Sequence, residues 1–251
     1  PTNWERLHFI LGDALYSGTA NLPFFRKRSI LKGLPNITAD FVLVDLGAGT
    51  TYNTLDFFLA SWAGLLVTTP ETTAILNAYS FLKATVFRLL HHQFRAKSPG
   101  RAVLEEFSHE RIEGHELSVS DLLTRLKDSA GVDAATRARE AMDEFRPRIV
   151  MNFGRAGTDI QAGRRLREVS KRNLDIDVEF IGYLPHDDAV VRAPLERAPT
   201  VVNYPDCRFS QGIRKLADRL KNEPVPPAPR VFPDDEDLSE LQAEFEAERM
   251  E

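Results

Sequence analysis

The amino-acid sequence predicts an α/β fold with a doubly wound, mostly parallel sheet. Short runs rich in β-branched residues are apolar at consecutive positions, as strands buried on both faces are, rather than alternating. Stretches with apolar residues at helical spacing lie between those runs. Strand and helix signals therefore alternate along the chain, the pattern of parallel strands joined by crossover helices.

Taken in order, Leu7-His8-Phe9-Ile10-Leu11 is a first strand candidate and residues 24–32 a first helix. The clearest strand is Asp40-Phe41-Val42-Leu43-Val44-Asp45-Leu46, followed by Gly64-Leu65-Leu66-Val67-Thr68-Thr69. Pro70-Glu71 then opens a long helix, with Thr68 capping against Glu71 or Thr69 capping before Pro70. Its apolar positions Ile75, Tyr79, Leu82, Val86 and Leu89 fall at helical spacing. Residues 94–146 contain no strand candidate; helical patterns at 119–127 and 134–145 predict a helical insertion between strands. Arg148-Ile149-Val150-Met151-Asn152-Phe153 and Val178-Glu179-Phe180-Ile181-Gly182-Tyr183 are further strands, with a helix at 159–174 between them. Helices at 187–195 and 209–220 follow, with Thr200-Val201-Val202 as a short edge strand. Residues 1–221 make one domain on this reading. Residues 222–251 form a tail: the Pro-rich stretch 223–229 is a stiff linker, and beyond it Leu238, Leu241 and Phe245 make a thin apolar stripe on a weak helix.

The composition, 43% hydrophobic and 27% charged, is that of a soluble globular protein. One cysteine, Cys207, excludes an internal disulfide and suits the reducing cytoplasm. The longest nearly unbroken apolar run, residues 57–67, is too short to cross a bilayer as a helix. No signal peptide is visible, and without an initiator Met residue 1 need not be the natural start. Residues 234–251 hold nine acids and one base. Taking these from the 37 acids and 32 Lys and Arg leaves 28 against 31, so the acidity belongs to the tail. The rest lacks the strong basic bias of a dedicated DNA-binding domain.

Ligands of a doubly wound sheet bind beyond the carboxyl ends of its strands. Asp45 closes the most hydrophobic run and would emerge at that edge, where a carboxylate can hold magnesium beside a nucleotide's phosphates. Gly47 and Gly49 after it permit unusual φ and let backbone N–H groups approach an anion. The alternative is a tight turn in which Asp45 is a local cap. Asn152 ends a strand at the same edge, where an amide can pair with a purine's donor and acceptor edge or simply form a turn. Asp187 can line a ligand loop or cap the helix that follows.

Residues 40–80 as a whole, with Tyr52-Asn53-Thr54-Leu55-Asp56-Phe57-Phe58 and Val67-Thr68-Thr69-Pro70-Glu71, resemble the MinD/ParA group of deviant P-loop ATPases. They look most like the branch that regulates flagellar number and placement, called FlhG or FleN. Val150-Met151-Asn152, then Gly182-Tyr183-Leu184-Pro185-His186-Asp187-Asp188-Ala189-Val190-Val191-Arg192-Ala193, then Pro199-Thr200-Val201-Val202 follow in the family's order, so the resemblance runs over residues 7–220. It implies a P-loop NTPase fold of the SIMIBI type, ATP or ADP with magnesium as cofactors, and a homodimer. By the same resemblance Asp45 matches the Walker B-type catalytic acid linked to magnesium through water, and Gly49 the switch glycine that senses the γ-phosphate. Asn152 matches the adenine-binding asparagine, and Pro185 with Asp187 the loop lining the base.

The departure from that family is the phosphate loop. Backbone amides and a lysine of Gly-x-x-x-x-Gly-Lys-Ser/Thr hold the phosphates, yet none of the 14 glycines precedes Lys-Ser or Lys-Thr. The family's first strand and loop would lie upstream of residue 7, so the chain as given is expected not to hydrolyse ATP. The leading expectation is part of an ATP-driven dimerisation switch that positions or counts a structure such as the flagellum. A non-hydrolysing scaffold of the same fold and a chromosome or plasmid partitioning ATPase are the alternatives. A protein partner is expected, and the 94–146 insertion is expected to contact that partner or the second subunit. The acidic tail would be repelled by anionic lipid, so no membrane-targeting helix is expected at the C-terminus.

Other motifs fall short. His109-Glu110-Arg111-Ile112-Glu113 has Glu where a zinc-protease helix needs His. His91 and His92 are adjacent and point apart on a helix. Cys207 reads as a small structural residue.

Overall fold

The computed structural model describes residues 5–10, 24–61, 64–112, 118–155 and 157–222. The chain divides into two compact units, Pro1–Phe57 and Phe58–Glu251. The linker and acidic stripe read from residues 223–251 lie outside the described residues.

The first unit carries helix α1 (Phe24–Gly33), a single 3-10 turn (Leu34–Asn36) and helix α2 (Tyr52–Phe58), whose last residue opens the second unit. Thr51 starts α2: its carbonyl accepts the Leu55 N–H at 3.0 Å and its hydroxyl the Thr54 N–H at 3.3 Å. Lys27 of α1 pairs with Asp56 of α2, their side chains only 10% and 6% exposed. The strand expected over residues 40–46 is not formed. That stretch has no regular structure, and Phe41 and Leu43 are 61% and 88% exposed. A run apolar at every position needs neighbouring strands and cover on both faces, and no strand in this unit's described residues supplies them. Residues 7–10 likewise form no strand and are exposed, for the same reason; residue 11 lies outside the described residues.

The second unit is mixed α/β around a small parallel sheet of β1 (Leu65–Thr68), β2 (Arg148–Gly154) and β3 (Glu179–Pro185), in the order β1-β2-β3. Leu66 lies opposite Ile149, and Ile149 opposite Phe180. Four helices follow β1: α3 (Thr72–Gln93), α4 (Pro99–Ile112), α5 (Val119–Ala130) and α6 (Val132–Glu144). Helix α3 buries Ile75, Ala78, Leu82, Val86 and Leu90, the three-and-four spacing that makes one apolar stripe. It begins at Thr72, two residues later than a Thr69 cap and three later than a Thr68 cap would start it. Glu71 sits at its N-cap without a side-chain cap bond, because the Thr69 hydroxyl bonds the Glu71 carboxylate instead.

Of the three helices between residues 94 and 146, α4 fully buries Leu104 and Phe107, α5 Leu122 and Leu126, and α6 Ala138. Ser118 and Asp121 form a reciprocal capping box at the start of α5. Gly131 then turns the chain from α5 into α6 at φ 92°, a conformation that only glycine adopts without cost.

Helix α7 (Ile160–Leu174) joins β2 to β3 and lies against α3, where Asn173 Nδ2 donates to Tyr79 Oη at 3.2 Å. After β3 come α8 (Ala189–Leu195), α9 (Thr200–Asn203) and α10 (Arg208–Asn222). Leu216 of α10 joins Val150, Ile181 and Leu184 in one apolar cluster, and a Cβ on Gly182 would stand 3.2 Å from its methyl group. The edge strand expected at 200–202 is this helical turn instead. The Pro199 carbonyl takes the N–H groups of Val202 and Asn203, so neither is available to a sheet ladder.

Candidate functional site

The parallel strands place the ends of β1, β2 and β3 at one edge of the second unit. There β2 is irregular. Met151 pairs with Tyr183 and Gly154 with Pro185, so Asn152 and Phe153 together oppose the single residue Leu184. This is a bulge, a device that bends a strand and re-aims its side chains. Phe153 takes the extra residue's conformation, with φ 60°. The Asn152 Oδ1 accepts the Phe153 N–H at 2.9 Å, so the asparagine holds the turn it sits in.

The bulge is fastened on both sides. His186 N–H donates to the Gly154 carbonyl at 2.8 Å. Asp159 Oδ2 accepts the Arg155 N–H at 2.7 Å and the Tyr183 hydroxyl at 3.1 Å. The Phe153 and His186 rings meet edge to face, 5.3 Å between centroids. Glu71, from the start of α3, is held below the usual glutamate range chiefly by the Thr69 hydroxyl, with Arg155 adding attraction and Asp159 opposing it. The beginnings of α3 and of the 155–159 loop therefore share one polar neighbourhood.

Asp187 lies just past β3 and serves two helices. Its Oδ1 accepts the Ala189 N–H of α8 at 2.9 Å, and its Oδ2 the Phe209 N–H of α10 at 3.5 Å. Partial burial pushes this carboxyl up, but the donors from Ala189, Phe209, the Cys207 thiol and Arg208 outweigh it, and its pKa ends below the usual aspartate range. Asp187 thus bonds the first-turn N–H groups of two helices, although the N-cap position of α8 itself is Asp188. Half-buried Cys207 has a structural place, with its sulfur accepting the Ser210 N–H at 3.4 Å.

Of the six site residues expected from sequence, Asn152, Pro185 and Asp187 lie at this strand edge. Asp45, Gly47 and Gly49 belong to the first unit. They form an exposed open bend in which Gly49 adopts φ 112°. A Cβ on Gly47 or Gly49 would meet nothing within 4 Å, so only the backbone angle of Gly49 calls for glycine. Among the described residues no cluster of three His, Cys, Asp or Glu side chains could hold a metal ion. A single exposed carboxylate such as Asp45 suits magnesium only as one ligand among waters and phosphate oxygens, which is how that ion is commonly held.

The sequence reading missed Phe153, Tyr183, Asp159 and His186. Only the Asn-Phe-Gly order at 152–154 hinted at a turn, and nothing in it signals which residue takes the positive φ.

No family model matches the chain. It is 22% identical over 191 residues to the antiactivator FleN of Pseudomonas aeruginosa, a match covering 76% of this chain and 50% of that protein. The chain spans about half the length of the curated relative it matches, and the similarity is distant.

Proposed function

We propose that this chain is part of a MinD/ParA-type, ATP-dependent dimerisation switch that positions or counts a cellular structure, the flagellum by its likeness to FleN. The observation that carries the reading is the bulge at Asn152. It sets a carboxamide at the carboxyl edge of a parallel sheet, opposite Leu184 and just before the Gly154–Pro185 pair. That is where nucleotides meet such sheets, and the similarity to FleN covers this stretch of fold.

In this reading the full sheet is doubly wound, and a further strand lies beside β1. Strand β1 is an edge of the described sheet, the position at which a further strand would pair. The phosphate loop and its lysine come from sequence other than these 251 residues, in keeping with a match to half of FleN. Asp45 would hold magnesium through water, and the ion would neutralise phosphate charge when bound. Gly49 senses the γ-phosphate, while Asn152, Pro185 and Asp187 serve the base. Helices α4 to α6 contact a partner protein or the second subunit.

The test is ATP turnover by the natural full-length protein. Turnover that is lost in Asp45→Ala supports the switch. A full-length sequence without Gly-x-x-x-x-Gly-Lys-Ser/Thr leaves the non-hydrolysing scaffold as the reading.

A further inference from the structure

Phe153 is where this fold accepts a local cost. Its φ of 60° lies in the left-handed region, which bulky side chains avoid because Cβ crowds the backbone. The other non-glycine residues with positive φ among those described are Arg6, Lys97, Asp175 and Arg197, all charged. A glycine stands immediately after Phe153, yet the chain places Gly154 in the strand pairing and the aromatic residue in the strained position. Burial does not repay that cost, since Phe153 is 39% exposed and, among the described residues, its ring contact is with His186. Strained, exposed side chains at a strand's carboxyl edge are a feature of binding sites.

We propose that Phe153, braced by His186, is the stacking platform for the purine ring of an adenine nucleotide whose base edge pairs with Asn152. This rests on the nucleotide-switch reading above and adds to it a residue that determines base affinity. Two constraints tie the platform to the amide. Asn152 Oδ1 holds the Phe153 N–H at 2.9 Å, and a carboxamide oxygen has capacity for a second donor such as adenine's amino group. His186 meets the Phe153 ring at an interplanar angle of 69° while its own N–H is held by Gly154, so the ring is supported from the side. A flat base on the remaining ring surface gains dispersion and excludes water, whatever its sequence of donors, and Asn152 then selects adenine.

The experiment is saturation-transfer NMR on the 251-residue chain, with adenosine and uridine as probes because neither needs a phosphate loop. Adenosine should receive saturation at its base protons, and uridine should receive less. Phe153→Trp should retain the adenosine signal, and Phe153→Gly should weaken affinity roughly fivefold or more. Phe153→Gly should at the same time melt at or above the parent's temperature, because glycine relieves the positive φ. A merely structural phenylalanine gives the reverse pattern, a lower melting temperature with adenosine binding unchanged, and that result overturns the platform. Binding that falls in Asn152→Ala but stays at the parent's level in Phe153→Gly also overturns the platform and leaves the nucleotide reading standing. No saturation of adenosine by the parent chain removes the base site itself and the platform with it.

Discussion

The Tyr183 hydroxyl donates to Asp159 at 3.1 Å across the ends of β3 and the loop that follows β2. The same carboxylate oxygen holds the Arg155 N–H at 2.7 Å. One side chain on β3 thus fastens the loop that leaves the Asn152 bulge. Tyr183→Phe removes that donor and should cost about 0.5–1.5 kcal/mol in urea denaturation. Asp159→Ala loses both bonds and should cost more. Equal stability of the two variants would show that the Arg155 bond contributes nothing.

Gly154 is required by the same tyrosine. A Cβ at this position would stand 2.0 Å from the Tyr183 Cζ and Oη, far inside contact distance. Gly154→Ala must therefore displace the ring and its bond to Asp159. The expected loss is about 1–3 kcal/mol, in the range of overpacked interiors. Gly47→Ala, with open space around its Cβ, should change stability by less than about 0.5 kcal/mol.

Asp187 supplies a pH-dependent brace. Its carboxylate receives donors from the starts of α8 and α10, and its pKa is lower in the fold than in the unfolded chain. A group with a lowered folded pKa contributes stability above its unfolded value, about 3.9, and that contribution is lost as pH falls through the folded pKa. Asp187→Ala should therefore cost about 1–2 kcal/mol at pH 7, the scale of a lost helix cap. The difference from the parent should shrink when both are denatured at progressively lower pH below 4. A difference that stays constant over that range contradicts the brace.

Within the first unit, the buried pair of Lys27 and Asp56 is the vulnerable contact. Lys27→Met leaves the aspartate buried without its partner and should cost about 3–5 kcal/mol. Adding Asp56→Leu should recover most of that loss, since an apolar pair carries no desolvation penalty. Thermal unfolding of the single and double variants separates these outcomes.

Some of this architecture was legible from residue order. The runs at 64–69, 148–153 and 178–183 became strands because each is apolar, short and next to another, so the three satisfy one another's ladders. The run at 40–46 has the same composition and no such neighbour among the described residues, and it stays exposed. Composition states what a strand requires and is silent on whether its partner is at hand. Pro199 shows a second limit: its carbonyl captured the N–H groups of Val202 and Asn203, donors that a strand through β-branched Val201 and Val202 would have offered to a sheet. The placement of Asn152 and Asp187 at the strand edge was legible because each is a polar residue closing an apolar run, although both also carry local structural bonds. Phe153 was not, since its role depends on a bulge created by the register of β3 against β2, a property of two segments at once.

The proposed ATP-dependent dimerisation switch requires that nucleotide change the oligomeric state. Sedimentation of the natural full-length protein, with and without ATP and magnesium, tests it most directly. The expected result is a dimer with ATP that returns to monomer as ATP is hydrolysed, and no such return in Asp45→Ala. The same sedimentation with and without ATP, together with no turnover, would contradict it.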